Sequence, residues 1–231
     1  MRLLTRGIKS LWKKGPTRTM QSIMSITEDA MFDRRHSLDT AKIVKVGDLD
    51  IDDEDKQHSI QYQPTRVRHF RILMRALQLP TNQVFVDVGC GKGRMLIAAA
   101  LYGFERVVGV EISPQLCETA RHNLDVFRRH SDAKTEFEVI CANVLQFNLN
   151  DDEGVFYLYW PFDRSVMIEF VENVRASIER SPRDIWLIVN DFRYQDVFDT
   201  DTHFAYRGRT VYGGGEFDVY HHAQAAIASA R

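Results

Sequence analysis

The chain has 231 residues, enough to bury a substantial core in one α/β domain that carries an extra N-terminal segment. Its 30 basic and 32 acidic residues nearly balance, which argues against nucleic acid as a partner. Three cysteines without metal-type spacing favour a reduced protein in the cytoplasm over a secreted one. No apolar run approaches the roughly 20 residues that cross a bilayer.

The first 20 residues differ from the rest of the chain. Residues 1–20 contain six basic residues and no acidic one. Leu4, Ile8, Leu11 and Trp12 recur at helical spacing among them, which predicts a basic amphipathic helix. Such a helix can lie peripherally on an anionic membrane surface, and its composition also resembles an organellar targeting segment. The alternative is a helix that packs on the following domain or on a second subunit.

A polar stretch over residues 28–60 follows, with an acidic run from Asp48 to Asp55. The run is typical of a solvated loop, and no His or Cys spacing accompanies it, so we predict no metal site. The pattern divides the chain into residues 1–60, a basic helix plus acidic connector, and residues 61–231, the main domain.

The main domain begins with a helix and then a strand. Pro64 and Thr65 suit the start of a helix from about Arg66 to Leu77, whose apolar residues recur at helical spacing. The next apolar segment begins at Val84 and predicts the first strand.

A glycine-dense turn follows this strand and precedes a second helix. The strand ends in Asp87, and the turn contains Gly89, Gly91 and Gly93. Strand, glycine turn and helix together indicate a nucleotide-cofactor site, because glycines let the backbone approach a ligand and a helix start offers free N–H groups. Arg94 stands where a dinucleotide fingerprint needs its third glycine, which disfavours a nicotinamide-dependent oxidoreductase.

An acidic residue ends the second strand. This strand runs from Arg106 and reaches Glu111, 24 positions after Asp87. A carboxylate there can accept hydrogen bonds from both ribose hydroxyls of an adenosyl group, worth roughly 1.5–3 kcal/mol each when shielded from water. Ile112 would follow as an apolar wall against the adenine. The alternative is an exposed acid at a strand end.

Further strands alternate with helices along the rest of the chain. Glu136–Cys141, Val155–Tyr159 and Ile185–Asn190 predict parallel strands, and Phe204–Arg209 with Phe217–Tyr220 predict a final antiparallel pair. The predicted fold class is α/β: a doubly wound, mostly parallel seven-strand sheet with an N-terminal helical or irregular extension.

The ends of the fourth and fifth strands are the place for substrate chemistry, because ligands of open α/β sheets bind beyond the carboxyl ends of the strands. Tyr159, Trp160 and Phe162 form an aromatic group that could hold a lysine-like amine by cation–π attraction, or stack on a sugar or ring. Asp163, Tyr159 and Asp191 are the candidate catalytic proton acceptors.

These motifs support a family resemblance over about Tyr62–Asn190. VDVGCGKGR, with its D-x-G-x-G-x-G core, resembles motif I of the seven-strand, class I S-adenosylmethionine (SAM) methyltransferases. The preceding Y-x-P-T is similar to seven-strand protein lysine methyltransferases, including the type that modifies the ATP synthase c subunit. The whole chain, with FDRRHSLDT upstream and YLYWPF downstream, looks closer to uncharacterised bacterial methyltransferase-domain proteins.

The resemblance implies a Rossmann-like methyltransferase fold with SAM as cofactor. It places Tyr62 and Thr65 as a lid over SAM, although Thr65 can equally be a helix N-cap and Tyr62 a packing residue. It also places Asn143 and Val144 beside the adenine amine. The cofactor-binding residues so implied are Tyr62, Thr65, Asp87, Gly89, Gly91, Gly93, Glu111, Ile112, Asn143 and Val144.

The acceptor motif departs from the pattern of amine and amide methyltransferases. Tyr159 and Trp160 replace the first two residues of their D/N-P-P-Y/F loop, and this weakens the case for a nucleobase as the methyl acceptor. The implied activity is methyl transfer to an N or O nucleophile on a protein side chain or small molecule. The alternative is a non-catalytic scaffold or membrane-associated partner protein with the same fold.

Overall fold

The computed structural model describes residues 20, 23–59, 61–159, 162–199, 201–212 and 215–224. The predicted basic amphipathic helix covers residues 1–20, of which only Met20 is described, and Trp160 of the predicted aromatic group is not described either. Both predictions therefore lie outside the described residues.

Seven strands form one sheet in the order β3-β2-β1-β4-β5-β7-β6. The parallel strands are β1 (Val84–Val88), β2 (Arg106–Glu111), β3 (Glu136–Cys141), β4 (Glu153–Tyr159) and β5 (Ile185–Asn190). An antiparallel hairpin of β6 (Ala205–Tyr212) and β7 (Gly215–His222) joins the sheet through antiparallel pairing of β7 with β5. The predicted mostly parallel seven-strand α/β fold is confirmed.

Six helices accompany the sheet in the described part of the chain. They are α1 (residues 23–36), α2 (Asp53–His58), α3 (Val67–Leu77), α4 (Arg94–Tyr102), α5 (Pro114–Arg129) and α6 (Arg164–Arg180). Short 3₁₀ turns lie at Val46–Asp48, Val144–Gln146 and Gln195–Phe198.

Two hydrophobic cores cover opposite faces of the sheet. Successive residues of β1 alternate between them: Phe85 faces the core with α3, α4 and α5, whereas Val86 faces the core with α6. All five residues of β1 are buried, because helices cover both faces. This doubly wound arrangement brings the carboxyl ends of β1, β2 and β4 together at one edge.

The N-terminal residues pack against the domain, whereas the sequence predicts a polar connector. The helix α1 contributes Phe32 to the core beside α4. In the acidic run, Asp50 accepts hydrogen bonds from the Ser113 hydroxyl (2.5 Å) and the backbone N of Gln115 (3.0 Å). Asp50 is exposed, as a solvated loop implies, but the free N–H groups at the start of α5 attract its carboxylate and fix it to the domain.

Within the described ranges, no helix is long and apolar enough to cross a bilayer. Over the same ranges, His, Cys, Asp and Glu do not form a group of three or more that could hold a metal ion.

Candidate functional site

The glycine loop joins β1 to α4 at the carboxyl edge of the sheet. Its three glycines have φ angles of 77°, 53° and 80°, a left-handed conformation that side chains with a Cβ rarely adopt. The backbone N–H groups of Gly89 and Cys90 both donate to the carbonyl of Val110, at 2.8 and 3.0 Å. The loop is therefore fixed to the end of β2 by backbone contacts.

Glu111 connects this loop to the start of α5. Its carboxylate is 7% exposed and accepts the backbone N–H of Gly91 at 2.8 Å and of Ser113 at 3.0 Å. Burial raises the pKa of Glu111, and the backbone hydrogen bonds oppose that increase. Because each carboxylate oxygen has two acceptor sites, Glu111 can still accept hydrogen bonds from a ligand diol.

Asp87 is a second buried carboxyl beside the same loop. It is 4% exposed, and among the described residues nothing donates a hydrogen bond to it. Burial, together with the nearby Glu111 carboxylate, raises the pKa of Asp87 to about 8. A cationic ligand group would offset this cost by pairing with the ionised form.

One cavity, open to solvent, covers these strand ends. It brings together most of the predicted site. The predicted residues that line it are Tyr62, Thr65, Asp87, Gly89, Glu111, Ile112, Asn143, Val144, Tyr159 and Phe162.

Two predicted glycines lie behind the lining of this cavity. Gly93 is the N-cap of α4, and a Cβ built there would be 3.3 Å from the Cβ of Ala120. Gly91 is covered by the ring of Tyr62: a Cβ on Gly91 would be 2.1 Å from Cε2 of that ring. Both glycines therefore permit close packing around the cleft.

Tyr62 belongs to a roof over the cleft, which we define as residues 40–65. Its hydroxyl donates to the carbonyl of Thr40 at 2.8 Å, and Nζ of Lys92 lies 5.9 Å from its ring centroid. Burial raises the pKa of the Tyr62 hydroxyl far above its ordinary value, so the phenol is neutral. The position over Gly91 is compatible with the predicted lid.

Thr65 does not cap α3, so the N-cap alternative is wrong. Arg66 occupies the N-cap position and makes no side-chain cap. The Thr65 hydroxyl instead accepts from the Tyr157 hydroxyl at 3.2 Å, which in turn accepts from Nδ2 of Asn190 at 3.4 Å. This buried chain of hydrogen bonds ties the start of α3 to β4 and β5.

The side-chain oxygen of Asn143, predicted to contact the adenine amine, already has a local partner. Oδ1 accepts from the backbone N of Leu145 at 3.0 Å, and Nδ2 donates to Oδ1 of Asp55 at 3.1 Å. Asp55 also lines the cavity. The roof therefore adds a carboxylate here that the sequence analysis placed in a solvated loop.

The roof meets the far edge of the cleft at His58 and Asp163. Their side chains approach to 2.5 Å between Nδ1 and Oδ2, next to an antiparallel bridge between Ser59 and Phe162. The hydrogen bond to Asp163 raises the pKa of His58. Burial acts to raise the pKa of Asp163, but the bond from His58 and the bonds at the start of α6 outweigh it, and the pKa is lowered.

Asp163, a predicted proton acceptor, is occupied by two structural contacts. Its Oδ1 caps α6 by accepting from the backbone N of Ser165 and Val166. His58 lines the cavity and Asp163 does not. The titratable group that reaches the cleft at this edge is therefore His58, which sequence analysis missed because its partner lies 105 residues away.

The other two candidate proton acceptors, Tyr159 and Asp191, differ in whether they reach the cleft. Tyr159 lines the cavity, its hydroxyl accepts from Nε2 of Gln63 at 3.1 Å, and burial together with Asp191 raises its pKa. Asp191 lies outside the cavity lining, and burial together with Glu216 raises its pKa. Of this pair, only Tyr159 reaches the cleft.

Arg94 anchors the N-terminal residues to the glycine loop. It is 2% exposed; Nε donates to the hydroxyl of Thr40 at 2.6 Å, and its terminal nitrogens lie 3.0 Å from Asp33 and 3.4 Å from Asp29. Asp29 also accepts the backbone N of Val67 at 3.0 Å. The signal in the sequence was Arg94 itself, because a charged residue in the otherwise apolar helix RMLIAAALY needs an acidic partner if it is buried.

Residues 85–180 match the family model described as a methyltransferase domain. A ribosomal protein L11 methyltransferase from Alteromonas mediterranea is 36% identical over 87 residues, 34% of this chain and 30% of that protein. One from Burkholderia mallei is 38% identical over 73 residues, 28% of this chain and 24% of that protein. The chain thus spans less than a third of the length of these curated relatives.

Solved structures resemble about 70% of the chain. A putative methyltransferase from Escherichia coli aligns with a TM-score of 0.54 at 15% identity, over 70% of this chain and 88% of that chain. An RNA methyltransferase from Salinibacter ruber, solved with S-adenosyl-L-homocysteine, aligns with a TM-score of 0.52 at 18% identity, over 71% and 95%. At these identities the similarity shows the fold alone, and it agrees with the predicted one.

Proposed function

We propose that this chain, whose residues 85–180 form a methyltransferase domain of the class I, SAM-dependent fold, transfers the methyl group of SAM to a nitrogen or oxygen nucleophile on a protein side chain. One observation carries the proposal. A single cleft joins the buried carboxyls of Asp87 and Glu111 to an aromatic, titratable edge formed by His58, Tyr159 and Phe162.

The carboxylate end fits SAM by its chemistry. SAM combines an ammonium group and a ribose diol, and when bound it supplies an activated methyl group on a sulfonium sulfur. Asp87, buried without a hydrogen-bond donor among the described residues, suits the ammonium group. Glu111 retains acceptor sites for the diol. Ile112 and Asn143 line the adjoining wall, and Tyr62 would exclude water from above.

The opposite edge would hold and deprotonate the acceptor. An amine must lose a proton before it can attack, and a neutral imidazole at the rim of the cleft can accept it. His58 has this position, with Asp163 orienting its Nδ1 so that Nε2 is available; because Asp163 also raises the pKa of His58, the neutral form is a stronger base, and activity should fall as pH is lowered and His58 becomes protonated. Tyr159 and Phe162 supply aromatic surface for a cationic side chain.

Two considerations favour a protein acceptor. The relatives that share up to 38% identity with part of the chain are named for ribosomal protein L11. The fourth strand ends in YLYWPF, without the side-chain amide or carboxylate that recognises a nucleobase amine in the D/N-P-P-Y/F loop. A protein amine or hydroxyl therefore fits this edge better than a nucleobase.

The test has two stages. Calorimetric titration with SAM and with S-adenosylhomocysteine should give one-to-one binding of each. The protein should then transfer labelled methyl from SAM to purified ribosomal protein L11 or to another band in total cell protein, and not to total RNA. Label found only in RNA would mean that the acceptor is RNA and not protein. Failure to bind either ligand would favour a non-catalytic scaffold.

A further inference from the structure

The outward side of α1 is apolar. We define the outer face of α1 as Ile23, Met24, Thr27 and Met31, together with Met20, which precedes α1 in the sequence; these residues recur at three- and four-residue intervals. Their side chains point away from the domain: Met20 is 60% exposed, Ile23 52% and Met31 65%. A row of large apolar side chains in water is costly and indicates a surface that another phase or molecule covers.

The acidic residues of α1 all point the other way. Glu28 pairs with Arg68 and Arg71 of α3, at 2.9 and 3.1 Å. Asp29 and Asp33, which also face inward, pair with Arg94. Each acidic charge of this helix is thus neutralised by the domain.

Basic charge remains on the outward side. Arg34 and Arg35, at the end of α1, are both exposed. No acidic residue lies on the outer face within the described part of α1. Apolar and basic groups therefore share one side of the helix, and acidic groups occupy the other.

The sequence that leads into α1 has the same character. Residues 1–19 contain six basic residues, no acidic one and the apolar side chains of Leu4, Ile8, Leu11 and Trp12. Glu28 is the first acidic residue in the sequence. Positive charge and large apolar groups thus continue from residues 1–19 onto the outer face of α1.

We propose that the outer face of α1, together with residues 1–19, docks on an anionic lipid surface. Apolar side chains partition into the boundary between headgroups and acyl chains, and basic side chains are attracted to anionic headgroups. This role goes beyond methyl transfer, because none of the described residues on the outer face of α1 lines the cleft.

The charge pattern argues against three other occupants of the outer face of α1: a second copy of the chain, residues 1–19 of the same chain, and nucleic acid. A second copy of α1, or residues 1–19 folding back onto it, would bring positive charge against positive charge. Nucleic acid would satisfy the basic groups but would leave the methionine and isoleucine side chains without an apolar partner. An anionic lipid surface satisfies both kinds of group at once.

Sedimentation of the full chain with lipid vesicles tests the proposal. We expect binding to phosphatidylcholine vesicles that contain phosphatidylglycerol, weak binding to phosphatidylcholine alone, and release as salt is raised. Ile23→Glu and Met31→Glu should each weaken binding about tenfold or more, since each loses apolar contact and adds a repelled charge. Replacing single basic residues within 1–19 should weaken binding about fivefold each.

Leu101→Glu is the matched control, because Leu101 is 52% exposed, like Ile23, but lies at the end of α4. It should leave vesicle binding unchanged, and all variants should keep their binding of S-adenosylhomocysteine and their melting temperature. Three outcomes would overturn the proposal: no binding of the full chain, equal loss in Leu101→Glu, or unchanged binding in both α1 variants. A dimer that Met31→Glu dissociates, without vesicle binding, would assign the face to a second copy.

Discussion

The floor and the roof of the cleft are built by different kinds of contact. The floor, which we define as Asp87, the glycine loop and Glu111, is held by buried backbone hydrogen bonds within one β-α-β unit. The roof, the described part of residues 40–65, is attached to the rest of the domain by side-chain contacts of Asp50, Asp55 and His58 and by the isolated bridge between Ser59 and Phe162.

The floor is therefore more rigid than the roof. Backbone contacts in a parallel sheet open only when the domain unfolds, whereas a segment with few buried contacts opens at lower cost. We therefore expect the floor to persist without ligand and the roof to respond first to substitution.

Arg94→Met should have the largest effect, because it leaves Asp33 without its buried cation and leaves Asp29 with only the partly exposed Arg66. Removing one partner of a buried ion pair costs about 3–5 kcal/mol. Urea denaturation should show that loss, and limited proteolysis should cut residues 23–40 faster than the sheet. Arg71→Met is the control, because the pair of Arg71 with Glu28 is half exposed and should cost about 0–1 kcal/mol. Similar losses in both variants would refute the anchoring role of Arg94.

Glu111→Ala should break the floor without detaching the roof. It leaves the buried N–H groups of Gly91 and Ser113 without an acceptor, at about 1–3 kcal/mol each, and removes the proposed ribose acceptor. Calorimetry should show S-adenosylhomocysteine binding weakened about 100-fold, which corresponds to about 2.7 kcal/mol. Glu118→Ala, exposed on α5, should bind normally. Unchanged affinity in Glu111→Ala would remove Glu111 from the site.

Gly91→Ala tests the contact between floor and roof. The added Cβ would meet the Tyr62 ring at 2.1 Å, and the φ of 53° costs about 1–2 kcal/mol with a side chain. The double variant Gly91→Ala/Tyr62→Ala should recover the steric part of the loss and retain the backbone part. A double-mutant cycle of thermal stability measures this coupling. Purely additive losses would mean that the ring does not rest on the loop.

The stability of the ligand-free protein should also depend on pH through Asp87. Its folded pKa of about 8 lies above the ordinary value of 3.8, so the folded protein binds this proton more tightly. The resulting stabilisation is complete below about pH 4 and is lost as pH rises through 8. The ligand-free protein should therefore melt at a lower temperature at pH 8 than at pH 5, with a shallower dependence in Asp87→Asn. The same slope in both proteins would contradict the assignment.

The floor could be predicted from sequence because its determinants are local. The glycines, Asp87 and Glu111 follow apolar strands at fixed spacing, and β3 and β5 begin and end at the predicted residues. Asp163 shows the limit of such reasoning. A carboxylate after a strand suggests a base, but the same residue begins α6, and the orphan N–H groups of that helix bind it.

Apart from Tyr62 and Thr65, which the family resemblance suggested as a lid, the roof could not be predicted, because its contacts link distant parts of the chain. Asp55 meets Asn143 across 88 residues, and His58 meets Asp163 across 105. An acidic run viewed alone is typical of a solvated loop. Nothing in its own pattern indicates that Asp50 and Asp55 find partners at the start of α5 and after β3.

The most direct test is a crystal structure of the protein with S-adenosylhomocysteine. We predict the ligand in the cleft between floor and roof, with its ribose on Glu111, its amino group beside Asp87 and the ring of Tyr62 still over the glycine loop. A ligand bound outside this cleft, or a cleft whose roof stays away from the bound ligand, would contradict the account.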